Sequence, residues 1–173
     1  ALVLSLLLLI LAEPVLTVRI TSRLRPALWL LFDGTDSMAV ADDMPEEDRL
    51  RLAEAVGVGE KDPAAASPGR SAPKLTRIEY VKSLLQKEDK NFLSRLAEKF
   101  RLRAFLFDRA EGVRAVELTS STGTKVEPKL LAGQLTTDGQ VSAMGAALDD
   151  LARRHATANL AGLVMVSDFN QNA

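Results

Sequence analysis

Ala27-Leu28-Trp29-Leu30-Leu31-Phe32-Asp33-Gly34-Thr35-Asp36-Ser37-Met38 is the stretch on which the reading of the chain turns. Six apolar residues run without a break and stop at an aspartate. A short apolar run of this kind suits a strand buried on both faces of a parallel sheet. The tight polar turn behind it then lies at the carboxyl end of that strand. Open α/β sheets bind their ligands there.

Working outward, the chain alternates strand and helix. Residues 46–56 predict a short helix with Pro45 at its start. Residues 57–74 hold three Pro and three Gly and read as a mobile loop insertion. Residues 76–86 carry Ile78, Val81, Leu84 and Leu85 at helical spacing, with Thr76 and Glu79 placed for a capping box. Phe92, Leu93, Leu96 and Phe100 mark a further helix. Residues 102–107 alternate as a strand, and 112–118 predict a second, antiparallel to it because the connection is short. Residues 119–139 are loop-rich, with a short helix near 130–135. Residues 143–155 predict a helix with Ser142 as its N-cap. Residues 160–166 read as another buried strand, ending at Ser167-Asp168. The expected fold is α/β: a doubly wound, mainly parallel, Rossmann-like sheet with one antiparallel edge strand and helices on both faces.

Composition narrows the chemistry. The 173 residues carry 22 Lys+Arg against 23 Asp+Glu, one His and no Cys. A near-neutral chain of this kind is not a strongly basic nucleic-acid binder, so no nucleic-acid partner is expected. Without Cys there is no disulfide, thiolate metal site or Cys nucleophile. The single His155 excludes multi-His metal sites and reads as a surface residue near a helix C-terminus. The neutral sum conceals a pattern. Residues 33–62 hold ten acids and three bases, and residues 63–130 fourteen bases and eight acids. The acidic stretch is either a solvated insertion or a negative field favouring a nearby cation. Arg101 and Arg103 alternate with Leu102 and Ala104 as on a half-exposed strand, and Trp29 and Phe32 are expected in the core.

The amino-terminal stretch ALVLSLLLLILA has no charge and is Leu on every side. Residues 1–13 are read as the end of a transmembrane helix, because a helix without a polar face belongs in lipid. Twelve residues cannot span a bilayer alone, which needs about 20. A signal-peptide core or a buried helix are the alternatives. Residues 14–26 form a linker or strand. Arg19, Arg23 and Arg25 hint at a cytoplasmic domain, although the side of the membrane stays open. The chain is expected to be a piece of a longer protein.

Three polar clusters fall at strand ends or a helix start: Asp33 to Met38, Ser142, and Ser167-Asp168. If their strands are neighbours, the loops converge. They offer carboxyls and hydroxyls, hard oxygen donors that suit Mg²⁺, Mn²⁺ or Ca²⁺.

These clusters carry a family resemblance. Asp33-Gly34-Thr35-Asp36-Ser37-Met38 after an apolar strand resembles the Asp-x-Ser-x-Ser motif of von Willebrand factor A domains. Ser142-Ala-Met-Gly-Ala-Ala-Leu is similar to the family's Thr loop and helix, and LVMVSDFNQN resembles its Ser-Asp-Gly strand end. The resemblance covers about residues 26–173, the amino-terminal two-thirds of such a domain, so 27–173 is a partial domain. It implies a metal-ion-dependent adhesion site. Thr35, Ser37 and Ser142 would ligate directly, Asp33 and Asp168 through metal-bound water, and a protein partner's carboxylate would complete the shell. Thr35 and Ser142 each exchange the usual hydroxyl residue for the other, and Phe169 stands where Gly is common. An apolar segment leading into such a domain also resembles bacterial membrane-anchored members of the aerotolerance-operon type.

Rival readings remain. Asp33-Gly34-Thr35 is similar to part of a haloacid-dehalogenase-type Asp-x-Asp-Gly-Thr motif, but the nucleophile's position is Leu31. An aspartic protease needs Asp-Thr-Gly, and here the order differs. Asp33 and Asp36 could form an acid/base pair, but no group to position a substrate stands out. No enzyme activity is expected, with an Asp-based hydrolase as the lesser alternative. A degenerate, metal-free domain would use the same residues as turn caps.

Overall fold

The apolar run forms strand β1 (Ala27–Asp33), buried along nearly its whole length. This computed structural model describes residues 2, 3, 5, 25–58, 73–87, 92–120, 123, 125–156 and 159–170. β1 lies between two parallel neighbours, β2 (Arg101–Arg109) and β4 (Leu160–Val166). β3 (Gly112–Val116) returns antiparallel on the outer side of β2, so the sheet order is β3-β2-β1-β4. The fold is α/β and Rossmann-like, with a mostly parallel sheet and one antiparallel edge strand. The chain moves from β1 to β2 on one side and later to β4 on the other. That reversal opens a crevice at the carboxyl ends of β1 and β4.

Side-chain alternation divides β1 between two cores. Leu30 and Phe32, with Ala104 and Leu106 of β2, pack against Ile78 and Leu85 of α2 (Arg77–Gln86) and Leu93 of α3 (Phe92–Lys99). Leu131 of α4 (Pro128–Gln134) joins the same layer. Trp29 and Leu31, with Phe105 and Phe107, pack against Ala147 and Leu151 of α5 (Met144–Arg154). Burying each such large side chain contributes about 1.5–3 kcal/mol. α1 (Glu46–Val56) lies against α2.

Local chemistry sets the helix ends. Thr76 caps α2: its backbone N–H donates to Glu79 Oε2 at 2.7 Å, and Glu79 N–H donates back to Thr76 Oγ1 at 3.4 Å. α1 starts after Pro45 with Glu46, Glu47 and Asp48 in its first turn, where the helix dipole favours acids. It ends at Gly57, which takes φ 77°.

Some expectations change. The cap position of α5 is Ala143, with no side-chain cap, so Ser142 is not the N-cap. Ser142 is buried one residue earlier. β4 is not a buried strand: Leu160 and Val164 are 42% and 45% exposed. It pairs with β1 on one side, and no strand covers its other edge among the described residues. β2 runs three residues longer than alternation predicted, and β3 ends two residues earlier. His155 is half-buried, its ring centroid 5.3 Å from that of Trp29 and 5.6 Å from that of Phe105.

The membrane helix at 1–13, the linker at 14–24 and most of the insertion at 57–74 lie outside the described residues. Among the described residues no helix is long and apolar enough to cross a membrane.

Candidate functional site

The turn after β1 is organised by Asp33. Gly34 N–H donates to Phe107 O at 2.9 Å, carrying the sheet pairing one residue past the strand. Asp33 Oδ1 accepts from Thr35 N–H at 3.0 Å and from Thr35 Oγ1 at 2.7 Å. Its other oxygen accepts from Ser167 Oγ at 2.6 Å. Thr35 Oγ1 lies 3.0 Å from Ser37 Oγ. A hydroxyl has one proton, and Thr35 gives its proton to Asp33, so Ser37 is the donor in that contact. The hydroxyl protons thus point along the chain Ser37 to Thr35 to Asp33, leaving oxygen lone pairs for another partner.

The second loop is fastened to the first by backbone. Asp36 N–H donates to Gly139 O at 2.7 Å, and Gly139 N–H donates to Gly34 O at 3.0 Å. A Cβ at Gly139 would fall 2.4 Å from the Asp108 carbonyl oxygen, so no larger residue fits unless the backbone shifts. Three residues on lies Ser142. The buried polar or charged residues among those described are Asp33, Thr35 and Ser142, at 0%, 1% and 2% exposure. Burying polar groups is costly, and three in one pair of adjoining loops mark a site.

Asp168 joins through an intermediary. It makes no direct bond to Asp33, Thr35 or Ser37 among the described contacts. Its Oδ2 accepts from Arg77 Nη1, and its Oδ1 accepts from Asn170 N–H at 3.0 Å. Arg77 Nη1 also donates to the Ser37 carbonyl at 3.3 Å, while Arg77 Nε and Nη2 hold Asp42. Hydrogen bonding to Arg77 holds the Asp42 carboxyl below its ordinary range, and Asp42, with Asp168 beyond it, raises Arg77 above its own. Neither Arg77 nor Asp42 was marked by motif spacing. Arg77 is the first residue of α2, and nothing in its neighbours signals that it reaches across to Asp168.

The remaining predicted residues are placed as follows. Asp36 is exposed and does not pair with Asp33, so no acid/base couple forms there. Leu31 is 0% exposed in the core, where the phosphatase reading would need a nucleophile. Phe169 takes φ 58°, the left-handed region favourable to Gly, and is 65% exposed beside Asp168. Phe has less freedom than Gly to take this conformation, yet the loop takes it here. Ser167 helps impose it, accepting from Phe169 N–H at 2.9 Å. The acidic stretch divides: Asp42 turns to the site, whereas Asp43 is exposed beside Lys74.

The donor set is all oxygen. Among the described residues no three His, Asp or Glu side chains converge. A cation here would rest on hydroxyls and water, with carboxyls behind them, a set hard cations accept. Asp33, Thr35, Ser37 and Ser142 fit that role. Asp168 fits it in competition with Arg77. Comparison with protein-family models, with curated proteins and with solved structures finds no match.

Proposed function

We propose that this chain is a von Willebrand factor A-type domain, tethered to a membrane through its amino-terminal apolar stretch. It takes up a divalent cation, Mg²⁺ first and Mn²⁺ or Ca²⁺ as substitutes, and uses it to bind a partner protein. The observation that carries this reading is that the described residues bury three polar side chains, and all three fall in the candidate set.

Thr35, Ser37 and Ser142 would present hydroxyl oxygens to the ion. Asp33 orients Thr35 by accepting its hydroxyl proton and anchors the Ser167 loop. Asp168 would act through water. The bound ion would supply an open coordination position for a partner carboxylate. Phe169 stands exposed at the rim, and exposed aromatics are frequent anchors of protein interfaces.

Arg77 favours a second reading, a metal-free scaffold. Its guanidinium already places positive charge on Asp168. In that case the cluster is a fixed ion-pair network and the partner docks without a metal.

Isothermal titration with Mg²⁺ separates the two. The cation reading expects saturable heat that disappears in Thr35→Val, which removes the hydroxyl and keeps the shape. Heat absent from the wild type, or unchanged in the variant, leaves the scaffold reading.

A further inference from the structure

β3 stops at Val116 opposite Ala104, whereas β2 begins at Arg101. The first three residues of β2 therefore project past the end of their neighbour. The space beside them is a cavity of about 720 Å³, within the range of small-ligand sites. Among the described residues its lining includes Arg25, Arg101, Arg103, Arg154 and the imidazole of His155, with no Asp or Glu. Its apolar lining includes Phe100, Leu102, Val113 and Val116.

These arginines differ from those that sit in ion pairs elsewhere in the molecule. Arg51, Arg77, Arg109, Arg114 and Arg153 each rest on a carboxylate. At the cavity only Arg154 does, on Asp150. Arg25 Nη1 is held instead by the carbonyls of Ala97 and Glu98 at 2.6 and 3.4 Å. Arg103 Nη1 lies 3.3 Å from His155 Nδ1. A guanidinium cannot accept, so the imidazole nitrogen accepts from it. No carboxylate pairs with Arg101 among the described residues. Guanidinium groups that line a cavity without counter-charge favour an anion there. Their planar donors match the oxygens of phosphate.

We infer that this notch binds an anionic amphiphile: a phosphate-class head held by Arg101 and Arg103, with an apolar body on the Phe105 and Val113 wall of the same sheet face. It lies at the end of the sheet where the chain enters β1 from its apolar amino-terminal stretch. The candidate cation loops are at the opposite ends of the same strands, roughly 20 Å away at about 3.3 Å per residue along β2. The inference does not rest on the cation reading.

The test titrates the full chain, in neutral detergent, with dihexanoyl phosphatidic acid. The readout is the fluorescence of Trp29, the one tryptophan, which stacks near His155. A saturable change is expected. Arg101→Gln/Arg103→Gln should weaken it about tenfold or more, and so should replacing the ligand by inorganic phosphate. Arg101→Gln alone, at an exposed position, guards against misfolding and should weaken binding in the same direction. Phosphatidylglycerol vesicles then separate sources. A Trp29 response to them that the double variant loses assigns a bilayer headgroup, and a response only to the dispersed ligand assigns a free amphiphile. Absence of saturation, indifference to both variants, or equal affinity for inorganic phosphate would overturn the inference.

Discussion

At the carboxyl-terminal end of the sheet, Asp33, Arg77 and Asp168 are each tied by hydrogen bonds, and the hydroxyls of Thr35 and Ser37 are in line with them. At the amino-terminal end, Arg25, Arg101 and Arg103 share a cavity with no carboxylate among its described lining residues. The same strands thus carry a buried, interlocked polar cluster at one end and exposed, unneutralised charge at the other. The difference teaches what each end lacks. The first has its internal partners and oxygen lone pairs to spare, and it suits a cation. The second has guanidiniums of which only Arg154 rests on a carboxylate among the described residues, and it suits an anion.

The largest expected effect breaks the interlocked end by sterics. Gly139→Ala drives a methyl into the Asp108 carbonyl. It should cost about 3 kcal/mol, the upper part of the usual overpacking range, in chemical unfolding. It should also separate the Ser142 loop from the β1 turn. A loss of only a few tenths would mean that the backbone contact is slack.

Arg77→Gln tests whether that end is complete without a metal. Two carboxyls lose their partner, one of them mostly buried. Stability should fall by about 1–2 kcal/mol, discounted from the fully buried case because the pair is partly exposed. Mg²⁺ should then bind several-fold tighter, since a competing cation is gone. Weaker Mg²⁺ binding would show Arg77 to be a support for the cation rather than its rival.

Phe169→Gly should stabilise the chain by about 1 kcal/mol, because Gly takes φ 58° without the cost a side chain carries. Destabilisation would mean that the exposed ring packs in solution.

Acid gives the smallest effect. Asp42 is lowered by Arg77, Glu79 by the Thr76 backbone and Asp150 by the Val113 backbone. Groups with depressed folded values stabilise the fold above their unfolded range of about 4. That contribution is lost as pH falls through the folded values. Thermal stability should therefore be flat near neutrality and decline below about pH 4. A decline already at pH 6 would contradict this assignment.

Local signals made much of the fold legible. The 27–32 run, the Thr76–Glu79 box and the turn residues Asp33, Thr35 and Ser37 each act within a few positions of themselves. Four things were not legible, for one physical reason. The apolar run 160–166 is as strand-like as 27–32, but burial depends on neighbours, and among the described residues β4 has a strand on one side only. Ser142 looked like a cap because hydroxyls before helices usually are, yet its loop is fastened to the turn after β1 by the Gly139 backbone. Arg77 reaches carboxyls 35 and 91 positions away, and only the folded chain brings them together. The arginine cavity likewise exists because β3 stops short of β2, a register fact that alternation could not supply.

The central claim is that Asp33, Thr35, Ser37 and Ser142 form a cation site. Thermal unfolding with and without Mg²⁺, in the wild type and in Asp33→Asn, tests it most directly. A ligand at a hundredfold excess over its Kd stabilises by about 2.7 kcal/mol, so the wild type should melt several degrees higher with Mg²⁺. Asp33→Asn should melt at one temperature with or without it. Identical curves for the wild type, or a shift that survives in Asp33→Asn, would contradict the account.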